Sequence, residues 1–309
     1  MNYKALLKNS LLGLVLVGSA QVATAQQDPQ FTQYMYNPSQ INPAYAGSRG
    51  TLNIFGHYRT QWVGMEGAPK TASVSANTPI GESGMGLGVN FTNDRLGAMD
   101  ENNISIDLSY AIDINYEYKL AFGLKTTANL MSVDFTKLRI FDGSDKVNDN
   151  VNNEFTPNIG AGVYLYSDKS YVGISVPNFL TTDRYDDNEF TTLRQKAHFY
   201  LMGGYVFELN PSLKFKPATL IKVVEGAPLQ VDLTANFLFM DKFTLGAAYR
   251  WDAAVSGLVG FQVNENLFVG YSYDAETTKL ANYNSGSHEI FLKFELFNRR
   301  TRINTPRFF

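Results

Sequence analysis

Between Thr51 and Phe297 apolar side chains recur at every second position in segments of about ten residues, and helical spacing is scarce. Ile104, Ile106, Leu108, Tyr110 and Ile112 alternate with Ser105, Asp107, Ser109, Ala111 and Asp113, the pattern of a strand with one wet and one apolar face. Leu120, Phe122, Leu124, Thr126, Ala128 and Leu130 likewise oppose Gly123, Lys125, Thr127 and Asn129. Val231, Leu233, Ala235 and Phe237 oppose Asp232, Thr234 and Asn236, and Ile290, Leu292, Phe294 and Leu296 oppose Glu289, Lys293 and Glu295. About fourteen strands follow, near 51–59, 69–78, 84–93, 102–113, 118–131, 157–167, 170–177, 196–207, 212–222, 228–239, 242–252, 254–263, 266–274 and 286–297. Their boundaries carry a tolerance of about two to four residues.

Alternation alone also fits a soluble sandwich, which hides one face of each strand against a second sheet. Three features favour lipid. The strands are long enough for a tilted membrane span, at about ten to eleven residues. Aromatic residues collect at strand ends, with Tyr58, Phe91, Tyr249, Trp251, Tyr271 and Tyr273 at one level and Tyr205, Phe207 and Phe239 at the other. Short connections such as 79–83, 113–117 and 240–241 alternate with longer ones, the longest near 132–156 and 178–195. The expected fold is therefore all-β: a transmembrane antiparallel outer-membrane β-barrel. An even strand count places both termini in the periplasm, on the short-turn side.

The face opposite the lipid gathers Asp107, Lys125, Tyr164, Tyr166, His198, Tyr200, Lys214, Lys216, Asp232, Arg250, Glu289, Lys293 and Glu295. A barrel of this size encloses more room than its own side chains fill, so a plug, a bound segment or a narrow channel is expected inside it.

Ahead of the strands, Lys4 and Lys8 precede the apolar run from Leu11 to Val17, and Ala23-Thr24-Ala25 follows as a small-residue cleavage site. Residues 1–25 read as a secretory signal peptide, and without a cysteine at position 26 a lipoprotein anchor is not expected. Four parts result: 1–25 signal peptide, 26–50 periplasmic N-terminal segment, 51–297 barrel, and 298–309 basic periplasmic tail.

Composition narrows the chemistry. The net charge of −3 offers no basic field for nucleic acid. The absence of cysteine excludes disulfides, thiolate metal sites and thiol nucleophiles, and three histidines leave few metal ligands. Gly84, Gly86 and Gly88 are spaced by two within an alternating strand and do not lead into a helix, so they read as small inward residues, not a phosphate loop. Asp142, Asp145, Asp149, Asp183, Asp186 and Asp187 lack the spacing of a calcium loop and read as solvated loop residues. His57 shares the face of Asn53 and Arg59, whereas His288 shares that of Ile290 and Leu292, so no serine–histidine hydrolase site is assembled from them. No cofactor, metal or catalytic residue is expected.

The segment Asp28-Pro29-Gln30-Phe31-Thr32-Gln33-Tyr34-Met35-Tyr36-Asn37-Pro38, followed by Ile41-Asn42-Pro43-Ala44-Tyr45-Ala46-Gly47-Ser48-Arg49-Gly50, does not alternate. Its two Asn-Pro steps force turns, and its aromatics need cover, expected at or in the periplasmic end of the lumen. Together with Tyr58-Arg59-Thr60-Gln61-Trp62 and Gly67-Ala68-Pro69, it closely resembles the entry signature of the PorP/SprF family of type IX secretion outer-membrane proteins. That resemblance implies a Bacteroidetes-type outer membrane and work alongside the secretion and gliding machinery. It also implies a partner, since many members serve one large surface adhesin with a type B C-terminal domain; the family supplies no catalytic residues. The rival class is a passive channel for a small or hydrophobic solute. Candidate lumen or partner contacts are Phe31, Tyr34, Tyr36, Asn37, Asn42, Tyr45, Arg59, Trp62, Lys125 and Arg250. To these the C-terminal tail, with four arginines and no acid, adds Arg299, Arg300 and Arg302.

Overall fold

A computed structural model of the chain describes residues 30–137, 150–180, 182–183 and 194–296. The leader, residues 26–29, the loop aspartates other than Asp183, and the tail from Phe297 onward with Arg299, Arg300 and Arg302 lie outside the described residues.

Fourteen antiparallel strands close into one barrel. They are β1 Leu52–Thr60, β2 Lys70–Ile80, β3 Met85–Leu96, β4 Met99–Asp113, β5 Lys119–Val133, β6 Val151–Tyr166 and β7 Ser170–Val176, then β8 His198–Tyr205, continued by Phe207–Asn210. The second half comprises β9 Leu213–Val224, β10 Gln230–Phe239, β11 Phe243–Arg250, β12 Ala254–Gln262, β13 Leu267–Glu276 and β14 Ser287–Leu296. Each strand pairs with its neighbours in sequence, and β1 pairs with β14 from Leu52↔Leu296 to Thr60↔His288, so no edge strand is left. A separate two-residue ladder joins Thr182–Asp183 to Arg194–Gln195.

The expected strands are all present, most within two or three residues. The largest difference is at β6, which begins at Val151 instead of about 157, while β4 begins at Met99. These extensions carry no apolar alternation: Asp100 accepts from Asn93 at 2.6 Å and Glu101 from Asn103 at 3.0 Å, so polar side chains line the part of the strands that projects past the apolar band. A pattern sought through lipid-facing residues ends where the lipid does.

Short turns occupy one mouth of the barrel. Met240 and Asp241, with φ of 50° and 54°, are the central residues of the tight turn between β10 and β11, closed by the Lys242 amide donating to the Phe239 carbonyl at 3.0 Å. Asn264 accepts from the amides of Asn266 and Leu267 at the β12–β13 turn. At the other mouth lie the ends of β5, β7 and β13 and the starts of β6, β8 and β14, with the connection 277–286.

The burial is inverted relative to a soluble domain. Ile106, Leu108, Leu124 and Ile174 face outward and are half exposed or more, as lipid-facing residues are, whereas Asp107, Asn129, Lys216, Ser272 and Glu289 are sealed inside. Lys214, expected in the lumen, sits at the short-turn rim and pairs with Asp241 at 2.7 Å. The apolar core also lies within the barrel, where Tyr34, Met35, Tyr36, Ala44 and Tyr45 meet Phe55, Tyr164, Tyr171, Met202 and Phe291.

Candidate functional site: a lumen filled by the chain's own entry segment

Residues 30–50, expected at the short-turn mouth, instead run the whole length of the lumen. They begin at the long-loop mouth and leave at the short-turn mouth, where the chain turns into β1. Three single turns of 3-10 helix, Tyr34–Tyr36, Pro38–Gln40 and Pro43–Tyr45, shape the path. Proline supplies the first residue of the second and third turns, and the Asn42 side chain caps the third by accepting from the Ala44 amide at 3.0 Å.

At the long-loop end Arg250 donates to Gln30 (3.0 Å) and to Asp232 (2.6 Å), and Gln30 donates to Gln230 (3.2 Å). One turn further in, the carboxylate of Glu289 on β14 accepts from the backbone amides of Thr32 and Gln33, both at 3.0 Å. Arg59 on β1 bridges Glu289 at 2.8 Å and Asp274 at 2.7 Å, and His57 approaches Glu289 at 3.3 Å. All four side chains are almost wholly buried. Charges removed from water this completely persist only when paired and hydrogen-bonded. This cluster binds the segment to both strands of the closing seam. Phe31 stands edge-on to His57.

Midway, the ring of Tyr36 packs against Phe291 (4.7 Å between centroids) and Phe268 (5.5 Å), with the Lys216 ammonium 5.7 Å from its centre. Asn37 donates to Ser75 at 2.7 Å. Lys125 pairs with Asp107 at 2.7 Å and donates to the Ser39 carbonyl at 3.3 Å. Asp107 and Lys125 are therefore a lumen pair reached by the segment.

Nearer the short-turn mouth Asn42 donates to the Val163 carbonyl (3.1 Å), Ser175 to that of Ile41 (2.7 Å) and Ser109 to that of Ala46 (2.6 Å). The wall carries glycine where the backbone of this stretch comes closest. A Cβ on Gly123 would overlap the backbone of Ala44, and one on Gly86 the carbonyl of Ala46. Gly86 and Gly88 are the small inward residues expected: Gly86 makes room for the segment, Gly88 first for the neighbouring Asp107 side chain, and Gly84 instead occupies the preceding turn at φ +79°. Arg49 closes the path with a two-pronged contact to Glu295 on β14 (2.7 and 3.2 Å). Beyond it opens a vestibule of about 560 Å³ lined by residues that include Ser48, Arg49, Glu82, Asp113 and Lys119.

Of the candidate contacts, Phe31, Tyr34, Tyr36, Asn37, Asn42, Tyr45, Arg59, Lys125 and Arg250 all meet in this one assembly. Trp62 does not: it sits at the long-loop rim, its backbone at φ 46° and its indole N–H donating to Glu276 at 3.0 Å. Glu289, Asp274, Thr32 and Ser39 were not among the candidates. The available signal was that Glu289 lies with Lys293 and Glu295 on the polar face of β14, and nothing in the sequence says what it binds. His57 points inward to Glu289, whereas His288 faces outward within 2.7 Å of the Tyr271 hydroxyl, so the two rings lie on opposite faces of the wall.

Closed strands, an apolar belt and a polar lumen define an outer-membrane β-barrel. The chain belongs to the PorP/SprF family, described as type IX secretion system membrane proteins, whose model matches residues 23–294. Among solved structures it is similar to the CymD monoaromatic hydrocarbon channel, with 13% identity, a TM-score of 0.53, and coverage of 87% of this chain and 94% of that one. It is also similar to Acinetobacter baumannii outer membrane protein Omp33 (7% identity, TM-score 0.48, 80% and 98% coverage). The Ralstonia pickettii toluene transporter TbuX matches at 9% identity and a TM-score of 0.46, with 85% and 92% coverage. No curated protein sequence matches. At these identities the likenesses concern the fold.

Proposed function

We propose that this barrel is a non-enzymatic holder in the type IX secretion and gliding apparatus, supporting the secretion and surface retention of a large adhesin with a type B C-terminal domain. The observation that carries this reading is the filled lumen. The segment is tied to the wall from Gln30 to Arg49, so the protein's working surfaces are its mouths and not its bore. In this reading the long loops face outward toward the adhesin, with Trp62 on their rim. The short turns and the basic tail face the periplasmic components, where Arg299, Arg300 and Arg302 provide charge-steered contacts.

A hydrocarbon channel of similar fold keeps the solute-channel reading in view, and one experiment separates the two. Native outer membranes are solubilised and the barrel is affinity-purified. Copurification of a single large secreted protein, with poor conductance of the barrel in planar bilayers, is the expected result. A barrel that passes solutes and brings down no such partner would overturn the proposal.

A further inference from the structure

We propose that the mature chain starts on the long-loop face, so that its two ends lie at opposite mouths and the segment between Gln30 and Gly50 is a permanent plug enclosed when the barrel closes. Direction comes from the contacts. Gln30 bonds to Gln230 and Arg250, the first residue of β10 and the last of β11, both at the long-loop mouth. Arg49, nineteen residues on, bonds to Glu295 next to the end of β14, at the short-turn mouth. The contacts between them advance in order along the barrel axis, so the segment crosses once and does not double back. The described part of the segment therefore begins at the long-loop mouth, away from the last residues of β14.

Permanence comes from fit. The wall opposite Ala44 and Ala46 is glycine, the Tyr36 ring is enclosed by Phe268, Phe291 and Lys216, and the Glu289 carboxylate grips two consecutive backbone amides. A packed ring and a buried carboxylate cannot slide past a closed wall without losing these contacts together. Threading after closure would require the same passage in reverse. Because Glu289 and Glu295 belong to the last strand, and Arg59 and His57 to the first, the seam and the plug share their anchors. The segment must lie in place before β1 meets β14.

The chain has no cysteine, so single cysteines report position without background. Full-length Asp28→Cys, Ala281→Cys in the β13–β14 loop and Ser83→Cys in the β2–β3 turn are expressed separately and treated with a membrane-impermeant biotin-maleimide. Labelling is compared between intact cells and cells with permeabilised outer membranes. Ala281→Cys and Ser83→Cys set the two reference patterns, and the expected result is that Asp28→Cys follows Ala281→Cys. Asp28→Cys following Ser83→Cys, or reacting under neither condition, would overturn the proposal. No partner protein enters the readout, so its failure is distinguishable from failure of the holder reading.

Discussion

Truncating Glu289 should damage this barrel more than removing any acid at its mouths. In the native structure its carboxylate accepts from two backbone amides at 3.0 Å, pairs with Arg59 at 2.8 Å and faces His57 at 3.3 Å, with the side chain only 1% exposed. Glu289→Ala leaves the Thr32 and Gln33 amides without acceptors, at about 1–3 kcal/mol each, and half-uncovers Arg59, where breaking a buried pair costs about 3–5 kcal/mol. These terms share one carboxylate and do not add in full, so the expected loss is about 4–6 kcal/mol. Asp274 still holds Arg59 and limits it. Glu289→Gln keeps an acceptor for one amide and should lose roughly half as much. Glu208→Ala, at the short-turn mouth where its pair with Lys169 at 3.2 Å is half exposed, should cost at most about 1 kcal/mol. The assay is urea unfolding in lipid vesicles, followed by heat-modifiable gel mobility. Equal midpoints for Glu289→Ala and Glu208→Ala would refute the claim that the plug is anchored at the seam.

Leu108→Arg, on the lipid face, should cost about 2–4 kcal/mol near the midplane, while Leu108→Phe is tolerated; equal folded fractions for both in vesicles would contradict a lipid-facing β4. Asp107→Asn, mild if the lumen were merely wet, should instead cost about 3 kcal/mol in the same measurement, because it leaves Lys125 buried beside a neutral partner. Gly123→Val should push the Ala44 stretch off the wall and raise single-channel conductance, with lipid-facing Gly257→Ala unchanged because nothing lies near that position. Truncation after Phe297 should leave insertion normal but abolish adhesin display on the cell surface, scored by surface immunolabelling; normal display would reduce the arginine tail to a membrane-surface contact.

Strand number, order and lipid-facing parity were all legible along the chain, because lipid acts on each strand separately. An outward Leu108 or Ile174 needs no knowledge of its neighbours to declare its face. The outer ends of β4 and β6 were not legible, since past the apolar band residues such as Asp100, Glu101, Asn152 and Asn153 show no alternating apolar face although the backbone ladder runs on to Met99↔Val133. The entry segment was recognisable as turn-rich, aromatic and in need of cover, but its position was not. Thr32 meets Asp274 across 242 positions and Arg49 meets Glu295 across 246, and no local periodicity encodes such a pairing. The inward aromatics Phe55, Phe268 and Phe291 gave no hint of a partner until Tyr36 was found among them. Sequence alone determined a barrel with a polar interior. That the interior is occupied, by which residues and in which direction, was decided only by tertiary packing, because those contacts exist solely once the first and last strands have closed around the chain's own beginning.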